Sequence, residues 1–296
     1  MLLLLTGSKD GTSDRIIAMM GNQVFRLNYD LWSDYQMAFS PDGWQISNPS
    51  GRVISSDSVS RVLFWKPFDY FLTVDKLVSS EIKYVFRELY DWCVTRGMLR
   101  GTPFYFHQKH GKINILSIAK KYFDIPKTLV TFGLSGIESL GVSSVVAKSL
   151  SSEPSNDDRV LMTTMVETNQ LDPAFPWYLQ TKVESECDIT VFLCGDKLFP
   201  FKRSRSGLKS LDWRAEQSLS WKDPKSWFPF ELNTLDENRL FSLSDELGVD
   251  WGRYDFMLCS ETNQLIFLEY NANGQWTFLD VHNEYGLLDE VVKYLS

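Results

Sequence analysis

Paired cysteines are missing from this chain: its four, Cys93, Cys187, Cys194 and Cys259, stand far apart with no Cys-x-x-Cys spacing. That indicates neither a zinc site nor a disulfide framework, and a reducing cytoplasm is the simplest setting for such thiols. Histidine is almost as scarce. Of the three, His107, His110 and His282, the first two have a ligand-like spacing, but no third ligand type stands beside them to complete a zinc site. Positive charge is in deficit too: 30 Lys and Arg against 38 Asp and Glu leave a formal charge of −8. This argues against a general nucleic-acid or anionic-membrane binder, since phosphate affinity comes largely from clustered Lys and Arg. No apolar run approaches the roughly 20 residues of a membrane span. The opening Met1-Leu2-Leu3-Leu4-Leu5 has no basic start and stops at Thr6-Gly7-Ser8, so it reads as a buried first strand rather than a signal peptide. Finally, there is no Gly-x-x-x-x-Gly-Lys-Ser/Thr loop and no nucleophile elbow. A nucleotide site in such a chain must hold its phosphates with scattered lysines and a metal ion.

What is present describes a globular α/β protein. At 296 residues, 44% hydrophobic and 14% aromatic, the chain fits two or three modest domains better than one. Alternating short strands and turns fill residues 1 to about 75, with a helix over 14–20. The turn Ser40-Pro41-Asp42-Gly43 between two strand-like runs predicts a hairpin. Apolar residues Ile82, Val85, Phe86, Leu89, Trp92 and Cys93 recur at three and four, which predicts an amphipathic helix over 77–97 ended by Gly97. Further helices are expected over 114–123, 135–140 and 236–247, and strands over 127–131 and 144–148.

The most informative stretch is a strand pair near the C-terminus, Tyr254-Asp255-Phe256-Met257-Leu258 and Leu265-Ile266-Phe267-Leu268-Glu269-Tyr270-Asn271. Side chains alternate along a strand, so Glu269 and Asn271 share one face. Asp255 joins them if the connection through 260–264 has an odd number of residues, because only then does it oppose Glu269 rather than Tyr270. Three hard oxygen ligands without nearby His or Cys suit Mg²⁺, which usually binds one or two carboxylates plus substrate phosphates. The same spacing also suits a solvated hairpin with polar residues on its wet face. Two lysines stand where phosphates could sit. Lys148 ends an apolar strand before a hydroxyl-rich loop, and Lys112 follows Gly111 just ahead of the helix expected from Asn114; either also reads as a solvated surface lysine. Lys202, Arg203, Arg205 and Arg214 concentrate positive charge in an acidic protein, matching a triphosphate or a carboxylate-bearing peptide, or forming a solvated face.

In their order along the chain, these segments resemble ATP-grasp ligases, most closely the branch that macrocyclises microviridin-like peptides, the graspetide synthetases. The match runs through Trp65-Lys66-Pro67, Gly111-Lys112, Ile125-Pro126-Lys127-Thr128, Val146-Ala147-Lys148, Leu179-Gln180, Asp212-Trp213-Arg214 and Leu268-Glu269-Tyr270-Asn271-Ala272-Asn273-Gly274-Gln275-Trp276. The resemblance implies an ATP-grasp fold of class α/β (α+β), with an N-terminal pre-ATP-grasp α/β domain over 1–100, a central domain over 101–181 and a C-terminal antiparallel-sheet domain over 182–296. It implies that Lys112 and Lys148 hold ATP phosphates, and that Gln180, Thr181, Lys182 and Val183 face the adenine, with Glu184 or Glu186 near the ribose. Asp255, Glu269 and Asn271 would bind Mg²⁺, and Arg214 would meet the terminal phosphate. The family usually carries an Arg two positions after residue 186, where this chain has Asp188; that leaves Arg203 or Arg205 for the substrate carboxylate.

The activity implied is ATP-dependent activation of Asp or Glu side chains in a ribosomal precursor peptide as acyl phosphates, then capture by Ser or Thr hydroxyls or Lys amines. The partner implied is that peptide, a leader plus a core rich in Thr, Ser, Asp and Glu, with the leader docking near 160–180 or 202–214, on a cytoplasmic homodimer. Two other readings remain: an ATP-grasp ligase that adds an amino acid to a peptide or protein terminus, and a peptide-binding module with a degenerate nucleotide site.

Overall fold

A computed structural model describes residues 1–66, 75–102, 109–151, 162–208, 210–211 and 226–296. Its first strand, β1 (Leu2–Thr6), is buried throughout, as an unbroken apolar run demands of a strand covered on both faces. It lies in a parallel sheet between β2 (Val24–Asn28) and β6 (Arg61–Phe64), with the short β7 (Leu99–Arg100) beyond β6. The predicted hairpin is present as β3 (Gln36–Ser40) and β4 (Gly43–Ser47), extended by β5 (Val53–Ser55) into an antiparallel sheet of its own. Helix α1 (Gly11–Met20) starts earlier than its apolar pattern does, because the Asp10 carboxylate accepts from the Ser13 amide and caps it. Helix α2 (Lys76–Thr95) buries Ile82, Phe86, Leu89, Tyr90 and Cys93 against Leu3 and Leu5 of β1, and Gly97, at φ +68°, closes it as predicted.

Helix α3 (Lys112–Ala119) precedes a second sheet, all antiparallel, of β8 (Thr128–Thr131), β9 (Ser144–Lys148), β10 (Thr164–Glu167) and β11 (Trp177–Gln180), in the order β10-β9-β11-β8. The helix expected over 135–140 is only a single 3₁₀ turn, Ile137–Leu140, set between Gly136 and Gly141, both left-handed. A third sheet holds β12 (Ser185–Cys194), β13 (Lys197–Ser204), β14 (Phe228–Pro229), β15 (Trp251–Cys259) and β16 (Leu265–Asn271), ordered β14-β13-β12-β15-β16. Helix α4 (Thr234–Leu247), capped by Asn233, and α3 cover its outer face through Leu240, Leu243, Ile115 and Ala119. Its inner face is divided. At one end Phe192, Trp251 and Trp276 pack with Leu2, Leu4 and Ile16 and with Leu287 and Val291 of α5 (Leu287–Leu295), so one core runs from the N-terminal sheet into the third sheet. At the other end the same face is polar, and the candidate site lies there. Among the described residues, no helix is long and apolar enough to cross a membrane.

The seam between the two ends is held by backbone. Gly252 has φ +138°, and a Cβ placed there would lie 2.6 Å from the Tyr270 ring and hydroxyl. Tyr270 is buried between Glu269 and Asn271, its hydroxyl 2.8 Å from Thr102 Oγ1 and bonded to the Trp251 carbonyl. Gly252→Ala therefore has to push Tyr270 out of its slot, and is expected to lower the unfolding free energy by about 2 kcal/mol or more in a denaturant titration.

Candidate active site

Asp255 stands directly opposite Glu269, and Arg253 opposite Asn271, so all four share the inner face of the third sheet. The route to that register differs from the expected one. Next to the turn, Leu258 opposes Leu265, a register that continued unbroken would put Asp255 against Leu268. A β-bulge between Asp255 and Phe256 shifts the pairing by one. Its consequence is that the adjacent residues Leu268 and Glu269 both serve the inner side, while Phe267 and Tyr270 both enter the outer core. The bulge, not the parity of the loop, assembles the carboxylate pair.

The four side chains touch. The Asn271 amide donates to Asp255 Oδ2 at 2.7 Å and to Glu269 Oε1 at 3.3 Å. Thr190, on β12, donates to Asp255 Oδ1 at 2.9 Å. Arg253 grips Asp255 through Nε and Nη2 at 3.0 Å each, and its Nη1 donates to the Gln275 carbonyl at 2.8 Å. As a donor set for a cation, two carboxylates and an amide fit Mg²⁺; turning the Asn271 amide over presents its oxygen to the same point. Arg253 is the functional candidate that the sequence reading missed. Its signal was available, two positions before Asp255 on one strand and hence on the same face.

The second sheet and α3 form the facing wall. On β9 and β11, Val146 and Gln180 are cross-strand partners and so are Lys148 and Tyr178, which places these four on one side, toward the third sheet. Lys112 is the first residue of α3, its Nζ donating to the Ser149 carbonyl at 2.7 Å and lying 6.0 Å from the Tyr178 ring centre. Burial on its own would raise the Glu269 pKa; the charges of Lys148 and Lys112, with the Asn271 hydrogen bond and Arg253, overcome it and bring the carboxyl down to about 2. Glu269 is thus ionised at neutral pH, and both predicted lysines act on the predicted carboxylate.

Beside this charge cluster opens a cleft of about 410 Å³ between the two sheets, lined by Val146, Lys148, Gln180, Thr181, Lys182, Val183, Glu184, Met257 and Leu268 among others. Gln180 is buried, donating to Thr128 Oγ1 and the Tyr178 hydroxyl at 3.1 Å each. The Thr181 amide donates to the Lys127 carbonyl at 2.9 Å, and Lys182 pairs with Glu184 at 2.7 Å. Glu186 is exposed and not among the lining residues. Arg205 lines the cleft as well, but its Nη1 is bound to Asp188 Oδ1 at 2.7 Å and its Nη2 to the Leu211 carbonyl at 3.0 Å. Arg203, buried on β13, sits opposite Asp188. The aspartate that replaces the expected arginine is therefore neutralised from the neighbouring strand. Arg214 and His107 lie outside the described residues.

With fold and site in view, solved structures match the chain over nearly its whole length. The RiPP-associated ATP-grasp ligase of Chryseobacterium gregarium, in complex with ADP and a leader and core peptide, gives a TM-score of 0.83 at 21% identity, covering 99% of this chain and 96% of its own. Macrocyclase MdnC of Microcystis aeruginosa MRC, bound with precursor peptide MdnA, gives 0.81 at 18% identity, covering 100% and 99%. MdnB from the same organism gives 0.77 at 19%, covering 99% and 98%. The chain has the fold of these ATP-grasp ligases, as the resemblance in its sequence implied. No protein-family model and no curated protein matches it.

The Asp188–Arg205 pair yields a test of the site's electrostatics. Both side chains are mostly buried, 13% and 14% exposed, and burial raises the Asp188 pKa against the lowering effect of Arg205. A raised carboxyl pKa removes stability as pH rises through it, so losing Arg205 costs more when Asp188 is ionised. Arg205→Ala is expected to lose about 2 kcal/mol near neutral pH and clearly less near about pH 4, read from denaturant curves at each pH.

Proposed function

We propose that this chain is an ATP-dependent, magnesium-using ligase that joins Asp or Glu side chains of a ribosomal precursor peptide to Ser or Thr hydroxyls, or Lys amines, of the same peptide. The single observation that carries the reading is the convergence of Lys112 and Lys148 from one wall on Glu269, the cross-strand partner of Asp255, from the other, beside a cleft lined by Gln180 to Glu184. Solved structures of the same fold, one in complex with ADP and a leader and core peptide and one bound with a precursor peptide, support it further.

In this reading the adenine enters between Val146, Leu268 and Met257, with residues 180–184 along its edge. Lys112 and Lys148 bind the phosphates, and Asp255, Glu269 and Asn271 hold the Mg²⁺, which supplies positive charge to the phosphoryl oxygens. A peptide carboxylate oxygen attacks the γ-phosphorus, ADP leaves, and an acyl phosphate remains on the peptide. A hydroxyl or amine of the peptide then attacks the acyl carbon, gives up its proton and expels phosphate. Arg253, on the same face as Asp255 and Glu269, brings positive charge to the transferring group, beside the role proposed for Arg214 at the terminal phosphate. The lysines and Arg253 act by position and charge, and no protein nucleophile is needed. The proposal includes the leader of the precursor as docking partner and a homodimer as the assembly.

The test is the mass of the precursor peptide encoded beside the gene after incubation with the protein, ATP and Mg²⁺. One water lost per cross-link, with ADP released, is the expected result; an unchanged mass contradicts the proposal, and a mass gain favours a ligase that appends an amino acid. Glu269→Gln is expected to cut turnover by about a hundredfold or more with the fold retained. Lys148→Ala is expected to weaken ATP binding by about tenfold, and unaltered affinity with full turnover removes its phosphate role.

A further inference from the structure

The arginine at the centre of the site is held by two anchors of different kinds. One is the Asp255 carboxylate, which Arg253 grips through Nε and Nη2; the other is the backbone carbonyl of Gln275, 2.8 Å from Nη1. In the reading proposed above, on which this inference rests, a cation draws Asp255 away from Arg253. The Gln275 carbonyl is then the contact that keeps the guanidinium aimed.

What fixes that carbonyl comes from the other end of the chain. The segment from Ala272 to Leu279 crosses the sheet as a strap pinned at three places. At Gly274 the backbone approaches the site so closely that a Cβ would lie 2.9 Å from Asn271 Cβ and 3.1 Å from Arg253 Cβ. At Trp276 the indole is buried against Phe192, with ring centres 5.6 Å apart. Between them, Thr12 in the first turn of α1 donates from Oγ1 to Gln275 Oε1 at 2.7 Å, and Thr12 is only 4% exposed. One turn further along α1, Arg15 donates to the Thr277 carbonyl at 3.3 Å and to the Val281 carbonyl at 2.7 Å. The helix itself is locked to the N-terminal sheet. Its cap Asp10 takes the Trp65 indole N–H at 3.2 Å from just past β6, and Ser13 donates to Thr6 of β1 at 3.1 Å.

We infer that Thr12 and Gln275 are positioning residues for Arg253: the N-terminal layer aims the arginine of a site built by the other two sheets. A bond from a buried hydroxyl to a half-buried amide serves this well, because losing one partner leaves the other unsatisfied and the strap free to shift. Small shifts in such a carbonyl move the guanidinium off the terminal phosphate, and electrostatic stabilisation is sensitive to displacements of that order.

The experiment compares calorimetric affinities for Mg²⁺ with the β,γ-imido analogue of ATP and for Mg²⁺ with ADP, in the full chain and in Thr12→Val, Thr12→Ser and Gln275→Leu. The native chain is expected to bind the analogue more tightly than ADP. Thr12→Val and Gln275→Leu are each expected to lose about fivefold to tenfold in analogue affinity while ADP affinity stays within about twofold, and Thr12→Ser is expected to keep the native preference. A Thr12→Val protein with the native preference, or one that loses both affinities equally, overturns the inference, the second result marking a merely structural contact. A native chain that binds neither nucleotide overturns the proposed function itself, which is a different outcome from the other two. Thermal unfolding of each variant identifies any that fails to fold, and the remaining variant of the Thr12→Val and Gln275→Leu pair then decides.

Discussion

Two carboxylates face each other across one strand pair, and a half-buried site tolerates that only if positive charge is brought to it. Glu269 and Asp255 come from the third sheet; Lys148 comes from the second sheet and Lys112 from the helix before it, while Arg253 shares the carboxylates' own face. Neither wall is electrostatically complete without the other. Burial that would protonate an isolated Glu269 is outweighed chiefly because β9 and α3 deliver two ammonium groups to it, with the Asn271 hydrogen bond and Arg253 adding to them. The same balance gives the site its capacity for a ligand carrying both phosphate and a divalent ion, which can enter without leaving either sign of charge uncompensated.

The third sheet does two jobs on one face. Its aromatic end, with Trp251, Phe192 and Trp276, continues the core of the N-terminal sheet; its polar end carries Arg253, Thr190, Asp255 and Glu269. Because strands are stiff across such short distances, the apolar packing sets where the polar groups stand. Tyr270 shows the coupling at one residue: it fills the slot that Gly252 leaves open and bonds to Trp251 and Thr102, while its chain neighbours on either side are the candidate ligands.

Much of this arrangement was legible in the sequence wherever period-two alternation carried it. Glu269 and Asn271 share a face as their spacing requires, and the expected helices over 77–97 and 236–247 are present with ends set by Asp75, Gly97 and Asn233. The β-bulge at Leu268 was not legible, because no glycine or other turn residue marks it; the surrounding strands are apolar in either register, and only the loss of one hydrogen-bonded step shows it. Arg253 was legible from its place two residues before Asp255 on the same strand face, although an arginine beside an aspartate on a strand equally suits a simple surface ion pair. Lys112 heads its helix two residues before the expected start at 114, because Gly111 occupies the cap with no side chain to mark where the first turn begins. The meaning of Asp188 was hidden as well: its partner Arg205 lies just past the end of the next strand, 17 positions away in the chain, and long-range pairing leaves no local trace.

The central claim is that Asp255, Glu269 and Asn271 share one divalent ion carried in with a nucleotide. Electron paramagnetic resonance of Mn²⁺ in place of Mg²⁺ addresses it without any peptide. The expected result is tight Mn²⁺ binding only when ADP is present, abolished in Glu269→Gln although that protein remains folded. Equal Mn²⁺ binding by the native chain and Glu269→Gln, with ADP bound to both, would contradict it.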